Sequence, residues 1–296
     1  MRYKIAIASG KGGTGKTSLS VNLAARLAED LPAFANQVLL SDLDVEEPNA
    51  SLFFSDAKTI LVQDEHRLVP VWEEQKCTLC NKCSQVCEFN AIAFLGSRVL
   101  IFPDLCHSCH ACSTLCPADA LPMKKHRMGE SRYFKPVQEN LSLIENRLEV
   151  GQPSAVPLIS EALDKMEKAA VDDSLILIDA PPGTSCPMME VTKDADYVLM
   201  VTEPTPFGLH DLGLAVETVR KLGRPTGVVI NKAGSGRDEL IEEYCQKEGL
   251  EILGRIPQSQ AIAEAYSRGE LVYNLNEEIA DAWNTLTDNL KKRMDV

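Results

Sequence analysis

No stretch of this chain approaches the roughly 18 consecutive apolar residues that a membrane-spanning helix needs, which excludes a transmembrane protein. Basic residues are also in short supply. Lys and Arg number 30 against 43 Asp and Glu, and the net charge of -13 repels a polyanion, arguing against sequence-independent binding to nucleic acid. The first residues run straight into a strand-like stretch, with neither the apolar segment nor the small-residue cleavage site of a secretory signal, so a cytoplasmic protein is expected. Disulfides are excluded in turn, because thiols stay reduced in that compartment. The ten cysteines therefore need another explanation, and eight of them fall between Cys77 and Cys116.

What is present is a chain of 296 residues, 45% hydrophobic, long enough for a large α/β domain carrying an insert. Residues 3 to 9 read as a short buried strand, followed by a glycine-rich turn and a helix through about Glu29 that carries Leu19, Leu23 and Leu27 on one face. Further apolar runs at Gln37–Ser41, Leu175–Ile178, Tyr197–Val201, Gly227–Ile230 and Glu251–Ile256 alternate with helical patterns. That alternation predicts a mostly parallel sheet covered by helices. More than 130 residues separate the second run from the third, too many for a simple crossover, and the cysteines lie in that gap. The expected organisation is a first part at 1–64, an inserted domain at 65–125 and a second part at 126–296.

Gly10-Lys11-Gly12-Gly13-Thr14-Gly15-Lys16-Thr17 fits G-x-x-x-x-G-K-[ST] between a predicted strand and a predicted helix, with Ser18 following. Glycines let successive N–H groups face phosphates, Lys16 offsets the β/γ-phosphate charge, and the Thr17 hydroxyl suits Mg²⁺. Two acidic stretches end predicted strands, where carboxylates point into the crevice. Asp179 resembles a Walker B acid on Mg²⁺, Asp44 is assigned to orienting the attacking water, and Asp42 to the switch or Mg²⁺ neighbourhood.

The insert contains an internal repeat. Cys77, Cys80, Cys83 and Cys87 recur 29 positions later as Cys106, Cys109, Cys112 and Cys116, and Asn90-Ala91-Ile92 recurs as Asp119-Ala120-Leu121. C-x2-C-x2-C-x3-C occurring twice signals two [4Fe–4S] clusters, three cysteines wrapping one cubane while the fourth reaches the other. One cluster would use Cys77, Cys80, Cys83 and Cys116, and the second Cys106, Cys109, Cys112 and Cys87. Zinc is the competing metal, although structural zinc sites pair two C-x2-C units across a longer gap. With eight thiolates supplied, His107 and His110 read as outer or solvent-facing groups. Filling both clusters takes the net charge to about −17.

Lys11 inside the loop, Asp42-Leu43-Asp44 and Asp179-Ala-Pro-Pro-Gly183 together resemble the deviant Walker A ATPases of the MinD/ParA superfamily, which includes the nitrogenase iron protein and Mrp-type iron–sulfur carriers. The resemblance covers most of 1–64 and 126–296. It implies a P-loop NTPase fold, ATP as the nucleotide, and a Lys11 that reaches across a dimer interface to the partner's ATP. It further implies that Asn231 and the Pro257-Gln258 loop border the adenine. Cys186 sits in what would be a flexible switch loop, where the nitrogenase iron protein carries one cysteine of an interface cluster. No counterpart of that protein's second ligand exists here, so a four-thiolate bridging cluster is not expected; the expectation is a position near the dimer axis, where Cys186 either helps receive or pass a metal or merely packs. Residues 65–125 are similar to bacterial two-cluster ferredoxins, a small α+β fold, with Glu88 standing where proline is usual.

The combined expectation is an ATPase whose nucleotide-driven dimerisation, with itself or a related ATPase, gates electron transfer or metallocluster assembly toward an acceptor protein. The alternative is a positioning switch with structural or redox-sensing clusters. MinD holds the membrane with a basic amphipathic C-terminal helix. Here Glu277–Met294 puts Ile279, Trp283, Leu286 and Leu290 on one face but begins acidic, so packing on the core is expected instead. Cys245, in a helical pattern, reads as a buried small hydrophobe.

Overall fold

The computed structural model describes residues 2–30, 36–134 and 138–294. In chain order the elements begin β1 (Tyr3–Ala8), α1 (Lys16–Asp30), β2 (Gln37–Asp42), β3 (Thr59–Pro70), α2 (Lys82–Gln85), β4 (Ile92–Phe94), β5 (Val99–Ile101) and α3 (Ala111–Thr114). Next come β6 (Met123–Phe134), β7 (Leu141–Leu148), α4 (Val156–Ala169), β8 (Ser174–Asp179), α5 (Cys186–Thr192), β9 (Tyr197–Thr202) and α6 (Pro206–Lys221). The chain ends through β10 (Thr226–Ala233), α7 (Asp238–Glu248), β11 (Glu251–Pro257), α8 (Gln260–Ser267) and α9 (Glu277–Arg293). Among the described residues no helix is long and apolar enough to cross a membrane.

The chain divides into two compact units, one of 1–62, 131–147 and 159–296, the other of 63–130 and 148–158. In the first unit β11, β10, β9, β1, β8, β2 and β7 lie side by side in that order, every adjacent pair parallel. β8 and β9 flank β1 on opposite sides, which makes the carboxyl end of β1 a topological switch point, where α/β sheets open a crevice. The central strands are buried along their whole length, which is why they read as unbroken apolar runs. Leu19, Leu23 and Leu27 of α1 are buried, as are Ile279, Trp283, Leu286 and Leu290 of α9, all in one core with Ile5, Ile7 and Leu177. A fully buried side chain of this size stabilises the fold by about 1.5–3 kcal/mol. Asn276 caps α9 by accepting from the Ile279 N–H at 2.9 Å, with Glu277 and Glu278 in the first turn and Lys291, Lys292 and Arg293 in the last, charges that complement the helix dipole.

The sequence reading placed no strand between β2 and β8, and the structure corrects this. β7 extends the parallel sheet beside β2, and β6 and β3 follow it in the same sheet. β3 is exposed at its first six positions and β6 is mixed in polarity, so neither shows an apolar run, and pairing with distant neighbours makes them strands.

In the second unit β4 and β5 pair antiparallel, Ile92 opposite Ile101 and Phe94 opposite Val99. The 29-residue repeat is visible in its backbone. Leu79, Asn81 and Asn90 take positive φ of 57°, 62° and 53°, and their counterparts Ser108, His110 and Asp119 take 55°, 62° and 48°. Two short helices, α2 and α3, follow the first two turns of each half. The buried apolar groups are few, chiefly Ile92, Val99 and Leu121, with Val69 and Ala91 nearby and the cysteines among them.

Candidate functional site

The loop between β1 and α1 curls around a cavity of about 150 Å³ whose wall includes Lys11, Gly12, Gly13, Thr14, Lys16 and Thr17, with Gly15 and Ser18 also on it. Gly13 and Gly15 hold φ of 80° and 88°, and a Cβ on Gly15 would meet Asn231 Nδ2 at 2.2 Å. Gly10 is not on the wall. It lets the loop approach α6 closely, since a Cβ there would lie 2.1 Å from the Asp211 carbonyl oxygen. The first turn of α1 carries no carboxylate, so its N–H groups and dipole stay available to an anion. The Thr14 hydroxyl is buried there with no hydrogen-bond partner.

Strand register assembles the acids. Asp42 of β2 is paired in register with Asp179 of β8 on one side and Glu145 of β7 on the other, Asp42 and Asp179 each ending its strand and Glu145 lying within β7. Asp179 is fully buried, receiving Lys16 Nζ at 2.8 Å, the Thr17 hydroxyl at 2.6 Å and the Ser20 hydroxyl at 2.8 Å. Lys16 Nζ also lies 3.5 Å from Asp44 Oδ2. Burial acts to lower the Lys16 pKa, but the Asp179 and Asp44 carboxylates outweigh it and the value is raised. Asp44 reaches the cavity wall, and its pKa is raised by burial against the pull of Lys16. Asp42 is fully buried, and burial beside Asp179 pushes its pKa up to about 8 despite opposing contributions from Lys16 and backbone N–H groups. Both Asp42 oxygens accept backbone N–H groups, from Asp44 at 3.1 Å and from Asn49 and Ala50 at 3.0 Å. Its carboxylate thus folds the 43–50 segment that carries Asp44.

Lys11 Nζ donates to Glu203 Oε1 at 2.6 Å, and Lys232 Nζ reaches Glu203 Oε2 and the Gly13 carbonyl, both at 3.1 Å. Asn231 Nδ2 donates to the Thr14 carbonyl at 2.7 Å, bracing the loop as well as lining a neighbouring cavity. That second cavity, about 290 Å³, includes Gly13, Ser18, Asn231, Pro257, Gln258 and Tyr266 in its wall. Glu203, Lys232 and Glu145 were not singled out from the sequence. Glu203 just past β9 and Lys232 near the end of β10 are signalled only by those positions, and Glu145, within β7, by nothing in the sequence. Cys186 opens α5 instead of lying within a loop, with Ser185 before it and Pro187 at a position suited to a helix start, and it is exposed. Cys245 is buried in α7, which pushes its thiol up to about 11.

In the second unit the eight clustered cysteines divide between two small cavities. Cys77, Cys80, Cys83 and Cys116 line one, and Cys87, Cys106, Cys109 and Cys112 line the other. Backbone N–H groups reach two sulfurs in each: Leu79 to Cys77 at 3.4 Å and Ala120 to Cys116 at 3.2 Å, then Ser108 to Cys106 at 3.4 Å and Ala91 to Cys87 at 3.3 Å. Buried Arg67, another residue without a sequence signal, donates to the Cys106 carbonyl and to that of Pro103 at 2.9 Å. His107 stacks on Phe89 at 3.9 Å, and His107 and His110 are exposed. Among the described residues, no three His, Cys, Asp or Glu side chains converge closely enough to hold a single metal ion.

A phosphate-cradling loop at the switch point of a parallel sheet, with buried carboxylates behind its lysine, defines a P-loop nucleotide-binding protein. The chain belongs to the CobQ/CobB/MinD/ParA nucleotide-binding domain family, whose model matches residues 5–272. It is 30% identical over 295 residues to the Methanocaldococcus jannaschii protein MJ0578, covering 98% of this chain and 96% of that one. An iron–sulfur cluster carrier protein of Pyrococcus horikoshii is 25% identical, with 99% of this chain and 87% of that one covered. Among solved structures, the cell division ATPase MinD of Pyrococcus furiosus superposes with a TM-score of 0.60 over 99% of each chain at 21% identity, a likeness of fold.

Proposed function

We propose that this protein is an ATPase with two [4Fe–4S] clusters, in which ATP-driven dimerisation controls electron transfer or cluster delivery to an acceptor protein. The observation that carries the reading is the division of the eight cysteines, four to each of two cavities, on the same chain as the phosphate loop. The names of the relatives support an iron–sulfur role. Bound clusters would supply reversible one-electron chemistry, held by Cys77, Cys80, Cys83 and Cys116 and by Cys87, Cys106, Cys109 and Cys112. The N–H groups aimed at four of these sulfurs suit thiolates, and the two exposed cysteines, Cys80 and Cys109, give each cavity an edge near solvent.

In the nucleotide site, Lys16 and the α1 N-terminus bind the phosphates, and Thr17 with Asp179 would hold Mg²⁺, which neutralises phosphate charge when bound. Lys16 must then exchange Asp179 and Asp44 for phosphate oxygens, leaving Asp44 free to orient water. Asp42 anchors the segment that positions Asp44. Lys11 leaves Glu203 to reach the partner's nucleotide, and the cavity beside Asn231 and Pro257 takes the base. A membrane-positioning role finds no support in α9, whose apolar face is in the core.

Anaerobic preparation should give about eight iron per chain. EPR spectra of the dithionite-reduced protein should change on adding ATP with Mg²⁺. A colourless protein holding stoichiometric zinc, or cluster signals indifferent to nucleotide, refutes the reading.

A further inference from the structure

The two cysteine cavities are built by the same repeat yet differ in the polar groups on their walls. Trp72 stands on the wall of the cavity of Cys77, Cys80, Cys83 and Cys116, and its Nε1 is buried with no hydrogen-bond partner among the described residues. An indole N–H only donates, and a buried donor left unpaired is costly, so an acceptor is called for at that wall. Asn81, on the same wall, has an unpartnered Oδ1, but an amide can present either end, so it is less diagnostic. Twenty-nine residues after Trp72 the repeat carries Ile101, which has no donor and does not line the other cavity. There the polar wall residues His107 and His110 are exposed and can be satisfied by water.

We propose that Trp72 donates its indole N–H to a sulfur of the cluster held by Cys77, Cys80, Cys83 and Cys116, raising the reduction potential of that cluster alone. The inference rests on the two-cluster reading above. The physical cause is charge. One-electron reduction makes the cluster and its thiolates more negative, so a fixed donor binds the reduced form more strongly than the oxidised one. Trp72 is a positioning residue in this scheme and transfers nothing itself. Arg67 at the Cys106 carbonyl and Glu88 after Cys87 act on the other cluster, so the effect of Trp72 is separable.

The test is a dithionite titration followed by EPR on the full-length, anaerobically prepared protein and its Trp72→Phe variant. One of the two midpoint potentials should fall, with about tenfold less of that cluster reduced at a fixed ambient potential, which is about 59 mV for a one-electron couple. The other potential should stay in place. ENDOR spectra of the reduced parent should also contain an exchangeable-proton coupling that is missing from the variant. Should Trp72→Phe lose half its iron, 3-benzothienylalanine at position 72 keeps the indole shape while replacing N–H with sulfur, and the same shift is expected. Eight iron per chain with both potentials and all proton couplings unmoved overturns the role of Trp72 while leaving the two-cluster reading intact. A parent protein that holds no iron overturns both.

Discussion

Lys16 is the point on which the electrostatics of the nucleotide site turn, since it is the cation facing Asp179, Asp44 and, at longer range, Asp42. Lys16→Ala should abolish ATP hydrolysis, and because it strands buried carboxylates it should also lower unfolding free energy by about 3 kcal/mol in urea titrations. Asp44→Ala should keep ATP bound while slowing turnover, and normal single-turnover hydrolysis by that variant would remove Asp44 from its assigned role. Asp42 sets a pH dependence. With its folded pKa raised to about 8, well above the unfolded value, the folded protein binds a proton that the unfolded chain has already released. The contribution of Asp42 to stability without Mg²⁺ and nucleotide is therefore greatest at acid pH and falls as pH climbs toward 8, by at most about 1.4 kcal/mol per unit. Denaturant midpoints from pH 5 to 8 should show this slope, and Asp42→Asn should flatten it.

Between elements, the link from the phosphate loop to the segment after β9 is made by Glu203. Its carboxylate is partly buried, yet hydrogen bonds from Lys11 and Lys232 outweigh burial and hold its pKa low. Glu203→Gln weakens the hold on Lys11, so ATP-dependent dimerisation should occur at a several-fold lower protein concentration in sedimentation velocity, with the monomer fold unchanged. A dimerisation constant equal to that of the parent would show that Glu203 does not restrain Lys11. The strands that frame this link were legible in the sequence because parallel strands buried on both faces show as apolar runs, as in Leu175–Ile178 and Tyr197–Val201. β3, β6 and β7 were not. Polar residues such as Glu145 and Asn146 in β7 are buried by partners far away in sequence, among them the Asp42 carbonyl, which accepts from Asn146 Nδ2 at 3.0 Å.

Taken whole, the molecule joins a unit with a broad core to one whose few buried apolar side chains are interleaved with cysteines. On the two-cluster proposal, a unit so poor in core would need its metal as a staple. Iron removal with an anaerobic chelator should therefore abolish amide-exchange protection in 63–130 and leave the sheet of β1, β8 and β9 protected, whereas equal protection with and without iron would mean that the unit folds on its own. Contiguous features were determined by sequence alone. The phosphate loop is eight consecutive residues whose glycines dictate its curl, the cysteine runs repeat at short spacing, and α9 displays its apolar stripe within one helix. Tertiary structure alone decided which groups meet across long separations. Asp42 lies beside Asp179 and Glu145 because of strand register, Asn231 braces Thr14, and Lys11 finds Glu203 at 192 positions' remove. The reason is that register and long-range pairing follow from the summed packing of whole strands and helices, and no local window of residues contains that sum.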